Sequence, residues 1–170
     1  MILSDRTLKD IIINQGIHLV NPFNPDDLQP CSIDLHLGRE LKTIHGKCID
    51  LKQGSYKIKP NEFILGHTFE KIYVPQDLMA RVEGRSSIGR LGVMVHITAG
   101  LIDPNFIGNV TLEIKNVSDK EFELYHGQDI AQIVFEALTT KCERPYGSSE
   151  LGSKYQHSHG CVLSKYERGF

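Results

Sequence analysis

The sequence predicts a mainly β protein, a sandwich, jelly roll or barrel with one short helix at its N-terminus. Three observations carry that prediction. Helical hydrophobic spacing occurs once, near the start of the chain, and then stops. Short apolar or alternating runs follow it. Turn residues punctuate those runs at Gly38, Gly46, Gly54, Pro60, Gly100, Gly108 and Gly127. Many short strands at such spacing build an all-β architecture.

The elements follow in order. Ser4 or Asp5 can cap a first helix, and Leu8, Ile11 and Ile12 give it an apolar stripe. Strands are predicted over Ser32–Leu37, Glu62–Thr68, Leu78–Val82, Val93–Ile97, Val110–Ile114 and Ile130–Ala137. From Arg144 the composition shifts. RPYGSSELGSKYQHSHGCVLSKYERGF is rich in Gly, Ser, Lys and Tyr and poor in aliphatics. Such a segment is either disordered or ordered by a ligand or partner. The reading therefore divides the chain into a body, 1–143, and a flexible tail, 144–170. No internal repeat is visible.

Composition narrows the function. The 170 residues suit one domain, and 40% apolar content can bury a core. A formal charge of −2 gives no basic excess to attract a nucleic-acid polymer. No apolar run reaches the roughly 18 residues of a membrane span. MILSDRTLKD carries charge at once and does not read as a signal peptide, so a cytoplasmic protein is expected. Cys31, Cys48, Cys142 and Cys161 form no CxxC pair and read as free thiols. His157 and His159 lie two apart in the polar tail, where a solvated pair outweighs a metal site.

The common catalytic signatures are missing: no GxxxxGK[ST], GxGxxG or GxSxG, and no H-x-E…P-C-x-x-C of the zinc deaminases. Chemistry concentrates instead in EGRSSIGRLGVMVHITAGLIDPNF, Glu83 to Phe106. A helical turn starting at Ser86 and Ser87 would aim N–H groups and hydroxyls at an anion. Arg85 and Arg90 could add charge-assisted bonds to phosphate. A capped surface turn with two solvated arginines explains the same residues equally well.

The motifs GRSSIGRLG, AGLIDPNFIG, GQDIAQIVF and YGSSELGSKYQ, in that order, resemble those of the trimeric dUTPase and dCTP deaminase superfamily. MILSDRTL and QPCSIDLHLG resemble the dCTP deaminase branch in particular. The matches run from Met1 to about Gln156. The resemblance implies a distorted jelly roll or β-barrel of the dUTPase-like type, assembled as a homotrimer with sites between subunits. It makes Glu113, in TLEIKN, the general base of deamination; taken alone, Glu113 reads as a residue on an exposed strand face. Ser86, Arg90 and the Ala99 carbonyl would orient the water. Arg85, Ser86, Ser87, Ile88, Gly89 and Arg90 would bind nucleotide, mostly its triphosphate, with Thr111 and Leu112 beside Glu113. Gln132, Tyr146, Lys154 and Gln156 match further nucleotide contacts. Asp103 would lie beneath the deoxyribose, binding its 3′-hydroxyl and helping to place the hydrolytic water. Phe106 would pack on the sugar and exclude a 2′-hydroxyl, or serve the core, or do both. Mg²⁺ would ride on the triphosphate, with no protein metal site.

Within the superfamily, TAGLID (Thr98–Asp103), Gln132 and the tail resemble bifunctional enzymes. These convert dCTP to dUMP, pyrophosphate and ammonia. The alternatives are a monofunctional dCTP deaminase yielding dUTP, or a dUTPase only, which typically lacks the counterpart of Glu113. The segment His96–Ala99 matches one that moves when dTTP inhibits such enzymes, so dTTP inhibition is expected. Three positions depart from the pattern: His36 stands in for an arginine, Cys31 for an alanine, and Ser158 for a tail glutamine. A non-catalytic nucleotide-binding jelly roll would typically have lost Glu113, Arg90 or Asp103. A sugar-binding sandwich or a cupin would need clustered aromatics or histidines, and the chain has no Trp.

Overall fold

The first helix begins where a side chain can close its open end. In the computed structural model, which describes residues 1–166, the Ser4 hydroxyl accepts from the Thr7 N–H, so Ser4 rather than Asp5 is the cap. The helix Asp5–Lys9 widens into a π-turn, Asp10–Asn14. Leu8 is fully buried, while Ile11 and Ile12 pack against the margin of the core.

Two five-stranded antiparallel sheets follow. One runs in the order Val93–Val95, Thr111–Asn116, Phe63–His67, Glu40–Lys42, Cys48–Asp50. The other runs Leu101–Ile102, Leu78–Gly84, Asp129–Ala137, Ser32–His36, Leu28–Gln29. Smaller sheets join Val20–Asn21, Lys71–Tyr73 and Ile107–Gly108, and pair Phe122–Tyr125 with Ser55–Ile58. None of these sheets, among the described residues, closes on itself, so the jelly-roll form of the prediction is the one realised. The six predicted strands all occur. The additional ones are two to four residues long, too short to show a period in the sequence.

Both large sheets supply one hydrophobic core, with Ile33, Leu35, Val82, Ile133 and Phe135 from one and Leu41, Ile64, Leu112 and Ile114 from the other. In Thr111–Asn116 the alternation is regular. Leu112, Ile114 and Asn116 are buried, whereas Thr111, Glu113 and Lys115 are half-buried on the opposite face. Buried Asn116 is fully engaged: its amide donates to the Ile58 and Lys120 carbonyls, and its oxygen accepts from the Ser118 N–H and hydroxyl.

Residues 144–166 form no helix or strand, yet they bond to the body throughout. The Tyr146 N–H donates to the Pro104 carbonyl, His157 N–H to Ile107, and Asn109 N–H to the Ser158 carbonyl. A side chain on Gly108 would meet the Ser158 backbone at 2.9 Å, so glycine permits this close approach. Further along, Cys161 is buried, its N–H donating to Glu40 and its carbonyl accepting from Lys42. The last four residues of the predicted tail lie outside the described residues.

Candidate active site

The tail, the segment 96–106 and the half-buried face of Thr111–Asn116 enclose a cavity of about 510 Å³. Six predicted site residues line it: Glu113, Ala99, Asp103, Phe106, Thr111 and Tyr146. Glu113 is aimed by the loop that faces it. The Thr98 N–H and hydroxyl both donate to Glu113 Oε2, at 3.0 and 2.9 Å. No hydrogen bond to Oε1 occurs among the described residues, which leaves one carboxylate oxygen for a ligand.

His96 ties the same loop to the strand. Its Nδ1 accepts the Glu113 backbone N–H at 3.0 Å, so the ring proton of the neutral imidazole sits on Nε2. Burial lowers the His96 pKa below its ordinary value, against the opposing charge of Glu113 and a bond to the Ala99 backbone. Ala99 itself adopts a left-handed conformation, with φ of 53°.

Asp103 is exposed at the start of a turn closed by the Phe106 N–H on the Asp103 carbonyl. Phe106 is 8% exposed and meets the Tyr146 ring at 5.8 Å between centroids. The Tyr146 hydroxyl in turn accepts the Tyr155 N–H. Thr111 Oγ1 accepts the Val162 N–H and so anchors the tail along the cavity.

The remaining predicted residues lie elsewhere. The turn expected at the serines is the helix Ser86–Gly89. Ile88 is buried in the core, whereas Ser86, Ser87, Gly89 and Arg90 are exposed, and none of them lines the cavity. Arg85 Nη1 lies 2.6 Å from Asp34 and 3.2 Å from Asp129. Both carboxylates lie off the N–H axes, so these are ion pairs without an aligned hydrogen bond. Gln132 accepts from the Ser32 hydroxyl on the polar face of the second sheet. Leu112 points into the core. Lys154 stacks its ammonium over Tyr166 at 5.8 Å, and Gln156 bonds to the backbone of Asn105 and Ile107.

The site thus falls into two groups within one chain: a carboxylate cavity, and a basic turn at the end of the other sheet. Sequence reasoning missed the grip of Thr98 on Glu113. Its only signal was a hydroxyl residue in the loop just before Ala99. Among the described residues no group of three or more His, Cys, Asp or Glu side chains is disposed to hold a metal ion, and no helix is long and apolar enough to cross a membrane.

Residues 2–138 match the family model described as dCTP deaminase-like. The chain belongs to that family. A dUMP-forming dCTP deaminase of Methanothermobacter thermautotrophicus is 45% identical, over 91% of this chain and 88% of its own length. Another, from Corynebacterium kroppenstedtii, is 37% identical over the full length of both. Among solved structures, the 2′-deoxycytidine 5′-triphosphate deaminase of Agrobacterium tumefaciens superposes with a TM-score of 0.68 at 20% identity. The match covers 81% of this chain and 48% of the Agrobacterium chain, so this protein spans about half of that longer one. A dUTPase from phage phi11 of S. aureus superposes with a TM-score of 0.51 at 14% identity, over 78% of this chain. These last two likenesses concern the fold. They place this family member among dUTPase-like jelly rolls, as its sheets do.

Proposed function

We propose that this chain deaminates dCTP and carries the product on to dUMP, releasing ammonia and pyrophosphate. The observation that carries the reading is that Glu113 and Asp103 share the wall of one cavity, with Phe106 beside them. The likeness to dUMP-forming relatives over most or all of the chain supports it.

In the first step Glu113 takes a proton from water, and the resulting hydroxide attacks C4 of the cytosine. The proton passes to N3. The C4 hydroxyl then gives its proton, through Glu113, to the exocyclic amino group, the C4–N bond breaks and the C4 carbonyl forms, so dCTP and water give dUTP and ammonia. Thr98 keeps Oε2 occupied and leaves Oε1 for the water. In the second step another water attacks the α-phosphorus, and pyrophosphate leaves dUMP. Asp103 aligns that water from beneath the sugar. Phe106 leaves no room for a 2′-hydroxyl, which selects deoxyribose by exclusion.

Phosphate binding falls to Arg85, Ser86, Ser87 and Arg90, with Lys154 closing over it from the tail. Because that turn does not line the cavity of its own chain, the reading places it in the site of a neighbouring copy, within a homotrimer. Mg²⁺ enters with the substrate, on the triphosphate oxygens, and supplies charge neutralisation there. The enzyme works in the cytoplasm. Binding of dTTP acts through His96–Ala99: a shift of that loop takes Thr98 from Glu113 and stalls deamination.

The test is product analysis with dCTP and Mg²⁺, by chromatography alongside an ammonia assay. Ammonia with dUMP and pyrophosphate supports both steps. Accumulating dUTP reduces the activity to deamination, and absence of ammonia removes Glu113 as the base. An unchanged dCTP rate at saturating dTTP rejects the inhibition.

A further inference from the structure

His36 stands between three carboxylates from three separate elements. Its Nδ1 lies 2.6 Å from Glu70 Oε1, in the loop after Phe63–His67. Its Nε2 lies 3.1 Å from Asp129 Oδ1, on the neighbouring strand, and 3.8 Å from Asp27 Oδ1, in the 3₁₀ turn Pro25–Asp27. The His36 backbone N–H donates to Glu70 as well, and Glu70 is only 3% exposed. Ionised carboxylates accept and cannot donate. The Nδ1 contact with Glu70 is a hydrogen bond, whereas Nε2 faces Asp129 as an ion pair without an aligned hydrogen bond, and that pair holds while the ring is an imidazolium.

The second oxygen of Asp129 carries the cluster onward. Asp129 is the register partner of His36, and the strand bulges between Asp129 and Ala131. Asp129 Oδ2 lies 3.2 Å from Arg85 Nη1, which also meets Asp34 Oδ2 at 2.6 Å. Gln29 donates to the same Asp34 oxygen at 3.0 Å. Arg85 immediately precedes the Ser86–Gly89 turn. Four carboxylates, Asp27, Asp34, Glu70 and Asp129, therefore surround two cations. If His36 loses its charge, Asp129 has only Arg85 to pair with.

We propose that His36, as an imidazolium, is a positioning residue: it shares Asp129 with Arg85 and so keeps the Arg85 charge available to a nucleotide phosphate. This rests on the nucleotide-binding reading of Arg85 given above. Burial by itself would lower the His36 pKa, but the bond to Glu70 and the charges of Glu70, Asp27 and Asp129 outweigh it and raise it above 6.5. His126 lines the same small cavity of about 300 Å³ beside His36, and the neighbouring Asp26 adds its charge to that of Asp27. The sign follows. The imidazolium persists below the folded pKa and is lost as pH rises through it. Nucleotide affinity falls over that window, and the chemical step does not.

The experiment measures KM and kcat for dCTP from pH 6.5 to 9 in the wild type, His36→Arg and Asp129→Asn. Arginine keeps its charge and donors at every pH, and the adjoining cavity has room for it. Wild-type KM should rise by roughly tenfold relative to His36→Arg, the weight of one charged hydrogen bond, with the kcat ratio constant. Asp129→Asn, at a side chain 54% exposed, should flatten the KM profile as well. Parallel KM profiles in the three proteins overturn the proposal, as does a pH effect confined to kcat. If His36→Arg does not fold, the imidazole titration of His36, followed by NMR in the wild type, decides: a ring already neutral at pH 6.5 overturns it. If the wild type turns over no dCTP at any pH, the reaction assigned above has failed, and calorimetry with inorganic tripolyphosphate over the same range tests His36 separately. Binding that weakens with pH in the wild type but not in His36→Arg supports it, and any other result rejects it.

Discussion

Replacing Glu113 by glutamine removes a proton acceptor and almost nothing else. The amide oxygen can take over both Thr98 donors, the N–H at 3.0 Å and the hydroxyl at 2.9 Å, because it has two lone pairs. The amide nitrogen then turns to the cavity where Oε1 stood. Volume is unchanged, and the strand alternation around Leu112 and Ile114 is untouched. Stability should fall by no more than about 1 kcal/mol, the cost of making those two bonds neutral at a half-buried side chain. The chemical step loses a general base, an effect of roughly 10²- to 10⁴-fold, or about 3–5 kcal/mol on the barrier. The assay follows ammonia release from dCTP and pyrophosphate release from dUTP in the same preparation. Ammonia should fall at least a hundredfold, while dUTP hydrolysis, which the reading assigns to Asp103, stays within about tenfold. Ammonia release within tenfold of wild type would refute the assignment of Glu113, since nothing else about the site has been altered.

Asp103→Asn should give the converse outcome: ammonia and dUTP accumulate from dCTP, and pyrophosphate falls by two or more orders of magnitude, roughly the loss of one proton-handling group. Phe106→Ala removes a ring that is 8% exposed and packed on Tyr146, so thermal melts should show a loss of about 3 kcal/mol, and CTP should gain on dCTP as a substrate in competition assays. Thiol labelling of the native protein at pH 8 should modify exposed Cys31 and Cys48 quickly and spare Cys161, which is 1% exposed with its thiol pKa pushed up to about 12, chiefly by burial.

Much of this was legible in the chain, and the limits have physical causes. Strands of five or more residues announced themselves, because a period of two needs several residues to show; TLEIKN is the clear case, although its pattern alone leaves Glu113 on an exposed face and only the family resemblance singled it out. Pairs such as Val20–Asn21 or Leu101–Ile102 have no period to read. Contacts made between elements left no trace either. Thr98 reaches Glu113 from a loop fifteen residues away, and His36 gathers Glu70 from thirty-four residues away. His36 could be noticed as a departure from the pattern, but the carboxylates around it could not.

Sequence order also hid which site residues meet. Arg90 and Glu113 both read as parts of one site, yet Arg90 follows the strand Leu78–Gly84 in one sheet and Glu113 belongs to the other. If the active unit is a ring of three with each site spanning two copies, variants damaged in different halves should repair each other. Glu113→Gln and Arg90→Ala would each be inactive alone. After dissociation and random reassembly at equal amounts, a site needs an intact Glu113 from one copy and an intact Arg90 from the next. Each is present half the time, so about a quarter of wild-type activity should return. A site contained in one chain predicts no recovery, since no chain in the mixture carries both groups. Rates measured before and after reassembly, with each variant reassembled alone as the control, therefore separate a shared site from a private one without reference to any structure of the complex.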